Sequence, residues 1–577
     1  YNNNYYKTEK RRKMKGHNIE TRILLLLCAI FWVFQSVGET QRIFLTGLFS
    51  AFMIAATFLS NKIREQYRYY IIAGYVQCIS LWMMMVFGIL KENKAVHLEN
   101  VRITLVIFFV LIICIILPVW MTKKKVITEK IQTVKMQNWI WAAMLGGYIL
   151  RQFQIFVTNV MQQQNDIGTF SEGSLGHLGY IYKIYKHTAL PDGNPMEQYQ
   201  YYQPPFSHIL MGIWAKINGL FGMTEEVIAE NLQVLALFFS TMILIVAYKI
   251  MKEITKSQKG ILVGILAIAF FPYLLEYAGA VNNDTLSTLL GLVTVLYMIR
   301  WYKKPNWKDI IICAFAIGCG MMTKLSVVML APVMACVFIY KMIKYKSNLL
   351  FCIKQYLAFG IISIPLGIWF PVKNLILYNV PLNYVPVIGW EQGQYMGNMY
   401  TVPQRLFEVT WAQLKPLWLS QMRGTEEFTY NIGVMFTKYC AFGETRYFPT
   451  TQWSKFIGTL MYVMILALFI FAIVLLVVWL RKAKSGKVIK FLILGSTGMI
   501  LLSYVKFCFE FPSVCTASVR YVLISVVLIV CMMAAGIGEI KTTLKAGNIM
   551  ARNVFKCFLA AYVCINTIGL FSLLYNL

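Results

Sequence analysis

Aspartate is nearly missing from this 577-residue chain; the four are Asp166, Asp192, Asp284 and Asp309. Histidine is almost as rare, with five, and charged residues make up only 14%. So little charge excludes an ordinary soluble protein of this length. No C-x-x-C pair occurs among the 13 cysteines, so zinc and redox-motif readings have no support. Most cysteines lie inside apolar runs as small packing residues. Cys440, Cys508 and Cys515 lie in or near expected outer segments, where a disulfide stays open. Walker-type and dinucleotide-type glycine loops are missing, which removes the usual nucleotide-binding signatures. The sequence also lacks an internal repeat and any Gly/Ser-rich or Pro-rich linker. The basic N-terminal stretch is followed by an apolar segment without a small-residue cleavage site. That segment is read as retained rather than as a signal peptide.

What remains is apolar: 58% hydrophobic residues, with a mean hydropathy of +0.60. Many runs approach or reach the roughly 17–25 residues that cross a bilayer as a helix. Fifteen spans are expected, near 22–38, 43–60, 69–90, 103–121, 139–160, 231–248, 260–280, 285–300, 308–323, 325–340, 351–371, 456–480, 489–506, 520–538 and 555–575. The fold class is therefore an all-α polytopic membrane protein. The net charge of +29 does not indicate nucleic acid, because the basic residues are dispersed among short loops. With a cytoplasmic N-terminus and alternating spans, most Lys and Arg fall in cytoplasmic loops, as the positive-inside rule requires. This parity holds only if the short apolar stretch 208–222, HILMGIWAKINGLFG, does not cross, so it is expected to be an interfacial helix on the outer face. Residues 1–137 form a four-helix N-terminal extension, and 138–577 hold every suggestive polar residue.

Carboxylates and imidazoles carry most proton-transfer chemistry, and here they gather in one outer loop, 161–205. Asp166 follows a Gln/Asn run directly after a membrane helix, within reach of an aqueous acceptor and a lipid headgroup. It is the candidate base, against the plainer reading of a solvated turn residue beside Gly168. Asp192, in Leu-Pro-Asp-Gly-Asn-Pro, reads as turn chemistry. His177 and His187 share the loop, and His208 follows Pro204-Pro205 at the start of the interfacial helix. Asn282-Asn283-Asp284 tops a span, where Asn or Asp serves as an N-cap. Glu276 lies within the preceding apolar run, and an intramembrane acid is a functional candidate. Lys324, Arg520 and the deeper Arg151 are cations at apolar depth. Each needs an anion, whether a protein carboxylate or a lipid phosphate, unless it merely snorkels. Asp309 is expected at a helix start, where it complements the helix dipole.

The segments QNDIGTF, GHLGYI, YYQPPFSH, AGAVNNDTLSTLLG, GCGMMTKLS, WFPVKNLILYNVP and SVRYVLI, in that order, resemble the GT-C superfamily of membrane glycosyltransferases. The similarity is to the dolichyl-phosphate-mannose-protein mannosyltransferase-like and aminoarabinose transferase-like families. It implies a helical bundle with a large outer first core loop, and a polyprenyl-phosphate-linked sugar donor. Transfer to a glycan, lipid or protein acceptor would proceed with inversion. Asp166 takes the place of the expected base. Arg151, His177, Tyr202, His208, Glu276, Asn283, Asp284, Lys324, Lys373, Asn374, Arg520 and Tyr521 are the candidate substrate-binding residues. Two departures stand out: Asn165 occupies the place where many relatives carry a second acid, and Gln203 that of a histidine. They leave open whether a divalent metal takes part. The expected setting is a cell membrane with the active site on its outer face. Two alternatives remain at this level: a transporter or flippase of lipid-linked glycans, and a non-catalytic relative that binds them.

Overall fold

The computed structural model describes residues 135–577 except 163, 165, 345–348, 388, 390–391, 416–427, 445–450, 483–485, 541–548 and 576–577. The four spans expected between 22 and 121 lie outside the described residues. The chain divides into two units, ending and beginning at Asn159 and Val160. In the first, the described element is helix α1 (Met136–Val157). The Thr158 hydroxyl donates to the Gln154 carbonyl (2.6 Å) at its end.

The second unit is built from helices. Helix α2 (Gly176–His187) and α3 (Phe206–Leu220) belong to the first core loop. Then come α4 (Glu225–Ile254), α5 (Gln258–Ala269), the short α6 (Pro272–Glu276), α7 (Asp284–Lys303) and α8 (Trp307–Met321). A 3-10 turn (Leu325–Leu330) leads into α9 (Ala331–Lys344), followed by α10 (Leu349–Tyr378). Two short helices, α11 (Val402–Phe407) and α12 (Trp411–Leu414), and then α13 (Ile432–Phe442), belong to the second long loop. The chain closes with α14 (Gln452–Lys482), α15 (Lys487–Glu510), α16 (Leu523–Ile540) and α17 (Ile549–Tyr575).

The protein is thus an all-helical, multi-pass membrane protein. Among the described residues eight helices are long and apolar enough to cross a bilayer, or nine if the bent pair α5–α6 counts as one span. Fifteen spans are not shown. The expected stretches 139–160 and 308–323 do form helices, α1 and α8, but neither is among the candidate spans. Helix α8 has 15 residues, roughly 22 Å at 1.5 Å per residue, so a crossing of a ~30 Å hydrocarbon core there also uses the Met322–Lys324 break that follows it. Helix α3 also has 15 residues and is not among the candidate spans.

Burial sorts the spans. The most apolar stretch of α4 is 78% buried and that of α10 only 17%, so α4 is central and α10 faces outward. Helix α10 keeps Pro365 and Pro371 in its interior, which neighbouring groups in a membrane bundle make tolerable. Close packing around α16 depends on small residues. A Cβ on Gly260 would lie 2.1 Å from the Ala534 carbonyl oxygen, and one on Gly536 would lie 2.2 Å from that of Leu475.

Three breaks in the helices bring polar groups together. The α5–α6 pair bends by 59° at Phe270-Phe271, where Pro272 opens α6, since proline suits a helix start. The chain then passes through Asn282–Asp284 into α7. A second break, Met322–Lys324, separates α8 from the turn before α9. The third is the pair of 3-10 turns Val514–Ala517 and Val519–Val522 ahead of α16. The loop after α10 pins this third break through an isolated bridge, Tyr395–Ser513, with Met396 N–H donating to Pro512 O (2.7 Å). Cys440, Cys508 and Cys515 are free thiols, so no disulfide joins them.

Candidate active site

The first core loop doubles back on itself at Gly168. Its φ is +69°, and a Cβ there would meet the Leu175 carbonyl oxygen at 1.7 Å, so only glycine fits. The return lets the Leu178 N–H donate to Ile167 O (2.8 Å) and the His177 N–H to Asp166 O (3.4 Å). The first turn of α2 therefore stands over Asp166 and places the His177 side chain beside it. Pro204-Pro205 then starts α3, with His208 in its first turn. The Phe206 N–H donates to Met322 O (2.9 Å), tying α3 to the second helix break.

Asp166 is buried, and Arg520 Nη1 donates to its Oδ2 at 3.3 Å. Gln200 Nε2 donates to the same oxygen (3.4 Å), and His177 Nε2 lies 3.6 Å from it. The other oxygen, Oδ1, is buried and has no hydrogen-bond partner among the described residues. Leaving a buried acceptor unmatched costs about 1–3 kcal/mol or more, a cost that marks functional positions. Burial raises the Asp166 carboxyl. The Arg520 guanidinium, then the neighbouring His177, outweigh it and hold the group well below the usual carboxylate range.

Arg520 is the hub of this cluster. Its Nε is 3.2 Å from Glu444 Oε1 and 4.0 Å from Asp284 Oδ2, while Nη2 donates to the Tyr521 hydroxyl (3.1 Å). Lys324 Nζ donates to Asp284 Oδ1 and sits 4.3 Å from the centre of the Tyr521 ring. Both cations thus take protein carboxylates as their anions rather than snorkelling. Glu444 also accepts from the Ser518 hydroxyl (2.5 Å). Burial raises the Glu444 carboxyl above its ordinary value, against the pull of Arg520.

A cavity of about 430 Å³ opens beside these groups. Of the residues singled out from sequence, Asp166, His177, Tyr202, Asn283, Asp284, Lys324, Asn374, Arg520 and Tyr521 line it. Apolar groups share the lining, among them Leu325, Val328, Met329, Phe370 and Phe507. Burial, then the Asp166 charge, push the Tyr202 phenol up, so it stays neutral. His208 lies behind His177 rather than on the cavity wall. Lys373 is half-buried next to Asn374 but does not itself line the cavity. Glu276 is buried beside Gly443, where a Cβ would meet its carboxylate at 1.6 Å. Arg151 belongs to the other unit, where its Nη1 donates to Gly147 O (2.9 Å). Asn283 does not cap α7 with its side chain. Asn282 Oδ1 accepts from the Asp284 N–H (2.9 Å) instead, and Asn283 Nδ2 donates to Gln203 Oε1 (2.9 Å) and Thr323 O (3.0 Å). Asp309 is the helix-start residue expected, its N–H held by Asn306 Oδ1 (2.9 Å).

Sequence reasoning missed Glu444 and Gln200, and it noted Asn282 and Gln203 only as a cap and as a departure from the family pattern, not as site residues. Glu444 had a signal, as an acid directly after Gly443 in a largely apolar loop. The glutamines resemble any loop residue, and only the fold shows that Gln200 reaches Asp166. Among the described residues no three His, Cys, Asp or Glu side chains converge as metal ligands.

Residues 203–369, under a third of the chain, match the family described as dolichyl-phosphate-mannose-protein mannosyltransferase. The match bears out the resemblance that the motifs carry. It contains Asn283, Asp284 and Lys324 and leaves out Asp166 and Arg520, which the fold brings to them. No curated protein matches the chain in sequence. One similar solved structure is the archaeal oligosaccharyltransferase AglB from Archaeoglobus fulgidus in complex with an inhibitory peptide and a dolichol-phosphate. The identity is 12% over 75% of this chain, with a TM-score of 0.39. This chain spans little more than half of that protein, 55% of its length. Another is ArnT from Cupriavidus metallidurans bound to undecaprenyl phosphate, with 12% identity over 75% of this chain and 87% of that one, and a TM-score of 0.33.

Proposed function

We propose that this chain is a membrane glycosyltransferase that moves a sugar from a polyprenyl-phosphate donor to a hydroxyl-bearing acceptor, with Asp166 as general base. One observation carries the reading. Asp166 is anchored through one carboxylate oxygen to Arg520, its other oxygen is buried and unpartnered, and the cavity beside it is lined by Lys324 and apolar groups. The family match over 203–369 supports the donor class.

The acceptor oxygen attacks the anomeric carbon opposite the departing phosphate, inverting it, while its proton passes to Asp166 Oδ1. The bond between that carbon and the phosphate oxygen breaks. A phosphodiester monoanion thereby becomes a phosphomonoester dianion. Lys324 and Arg520 receive the added charge in a partly dry site, where fixed electrostatics act most strongly. In the resting site Arg520 makes Asp166 a weak base. A donor phosphate that draws Arg520 to itself removes that restraint, and the carboxylate becomes more basic as the reaction needs it. Tyr202, Asn283, Asn374 and Tyr521 are placed to contact donor or acceptor, and the apolar lining groups suit the first isoprene units.

The site belongs on the outer face of a cell membrane, with a cytoplasmic N-terminus and a four-span extension, 1–137, before the core. Mass spectrometry of envelope glycans and polyprenyl-linked sugars in a strain deleted for this chain tests the proposal. Loss of one sugar from an acceptor, with build-up of its polyprenyl phosphate, is the expected result. An unchanged set of glycosidic linkages with altered sidedness of a lipid-linked glycan would favour a flippase instead.

A further inference from the structure

Behind Asp166 lies a second line of polar groups. His177 Nε2 faces Asp166 Oδ2 at 3.6 Å, and His177 Nδ1 is 2.8 Å from His208 Nε2. Both rings are buried, at 2% and 1% exposure. They come from different helices, α2 and α3. His208 is stacked on Tyr180, with ring centres 4.2 Å apart and planes 12° from parallel. A hydrogen bond between two imidazoles requires one nitrogen with a proton and one without. Each ring carries a proton on at least one nitrogen, so the ring that accepts must hold its proton on the outer nitrogen, and the Asp166 carboxylate facing His177 Nε2 favours His177 as the acceptor.

From this geometry we infer that His177 and His208 are positioning residues: His208 sets the tautomer of His177, so that the His177 Nε2–H always faces Asp166 Oδ2. The inference rests on the role given to Asp166 above. In the neutral pair, the His208 Nε2–H donates to His177 Nδ1, and the Nε2–H of His177 points at the carboxylate. If the pair holds one more proton, the shared proton moves to His177 Nδ1 and the extra one resides on His208 Nδ1. The Nε2–H stays where it was. Burial, then the charge of His177, lower His208 well below its ordinary value, against a smaller opposing pull from the Pro204 backbone.

The groups facing the pair are Asp166 from the loop, Tyr180 of α2 stacked on His208, and Arg520 on the far side of Asp166. With Gln200 and Arg520, His177 occupies Oδ2 and turns Oδ1 toward the acceptor. A carboxylate free to rotate would offer either oxygen and lose that orientation. A deviation of about 1 Å in such placement is enough to cost on the order of 10²-fold in rate.

The chain has only five histidines, so histidine-selective ¹⁵N NMR of the full chain in nanodiscs resolves them. From neutral pH downward, the expected spectrum shows His177 Nε2 protonated throughout and a ¹⁵N–¹⁵N coupling to His208 across the shared proton. In His208→Phe the coupling disappears and His177 becomes a mixture of tautomers, while binding of undecaprenyl phosphate, the probe for an intact fold, is retained. An unprotonated His177 Nε2 in the wild-type protein overturns the inference, and that measurement needs no variant to fold. An unchanged His177 tautomer in His208→Phe also overturns it. Neither readout depends on turnover, so a wrong assignment of the chemistry and a wrong assignment of the histidines give different results.

Discussion

Arg520 Nη1 lies 3.3 Å from Asp166 Oδ2, so the candidate base carries its counter-ion with it. The two residues come from opposite ends of the core, one from the loop after α1 and the other from the turn before α16. Both cations of the site therefore already have protein anions. On the proposed function, binding of a donor phosphate would be an exchange of partners, with Arg520 shared between Asp166, Glu444 and the incoming group.

This pairing sets a pH dependence. Asp166 has a depressed folded value, whereas an unfolded aspartate titrates near ~3.9. Its contribution to stability is therefore present above that unfolded value and is lost as the pH falls through the lower folded one. Arg520→Gln removes the main opposing charge and raises the Asp166 carboxyl. Its melting temperature should be lower than that of the wild-type protein at neutral pH but should fall less on acidification, because the Asp166 contribution that acid removes is already gone, and undecaprenyl phosphate should bind more weakly. Thermal melts between about pH 3 and 7 measure the first effect. An equal fall for both proteins would show that Arg520 does not control Asp166.

Lys324 and Asp284 make a buried pair, so breaking it from either side leaves a bare charge. Asp284→Asn should destabilise the fold by about 3–5 kcal/mol, as removal of one partner of a buried ion pair does. Adding Lys324→Met should restore part of the loss. Lys324→Ala should weaken undecaprenyl phosphate binding, and Lys324→Arg should not rescue it, because a flat guanidinium does not replace a compact ammonium. Melting and lipid-phosphate titration of the set check both claims. Equal stability in single and double variants would mean that the pair is not coupled.

Much of the architecture was legible because hydrophobic length and charge asymmetry are local. The spans later found as α4, α7, α10, α14, α15 and α16 can each be read from their own residues. The site was half legible for the same reason. Asp166, Asp284, Lys324 and Arg520 are conspicuous as rare charges in apolar surroundings, and their convergence follows from the breaks that interrupt the helices. Glu444 had only the local signal of an acid after a glycine in a largely apolar loop, and Gln200 was not legible, because nothing local separates it from other loop residues. Nor was the link from Asp166 through His177 to His208, which depends on how α2 folds over Gly168. The expected spans 139–160 and 308–323 are helices that are not among the candidate spans, because an apolar stretch shows composition and not the length and hydropathy of the helix that forms from it.

Sidedness has its own test. Engineered single cysteines near Gly193 and Gly393, one in each long loop, should both react with an impermeant thiol reagent in intact cells lacking competing exposed thiols. The motive is the excess of Lys and Arg in the opposite loops. Labelling of only one position would break the parity argument and the non-crossing assignment of α3.

The central claim is that Asp166 takes the acceptor's proton. It is tested most directly by comparing transfer rates of purified wild-type, Asp166→Asn and Asp309→Asn proteins with polyprenyl-linked sugars extracted from the deletion strain. Asp166→Asn should lose at least about 10²–10⁴ in rate, the usual contribution of a general base, while still binding undecaprenyl phosphate. Asp309→Asn, changed at a helix start, should turn over nearly as the wild type does. Wild-type-like transfer by Asp166→Asn would contradict the account.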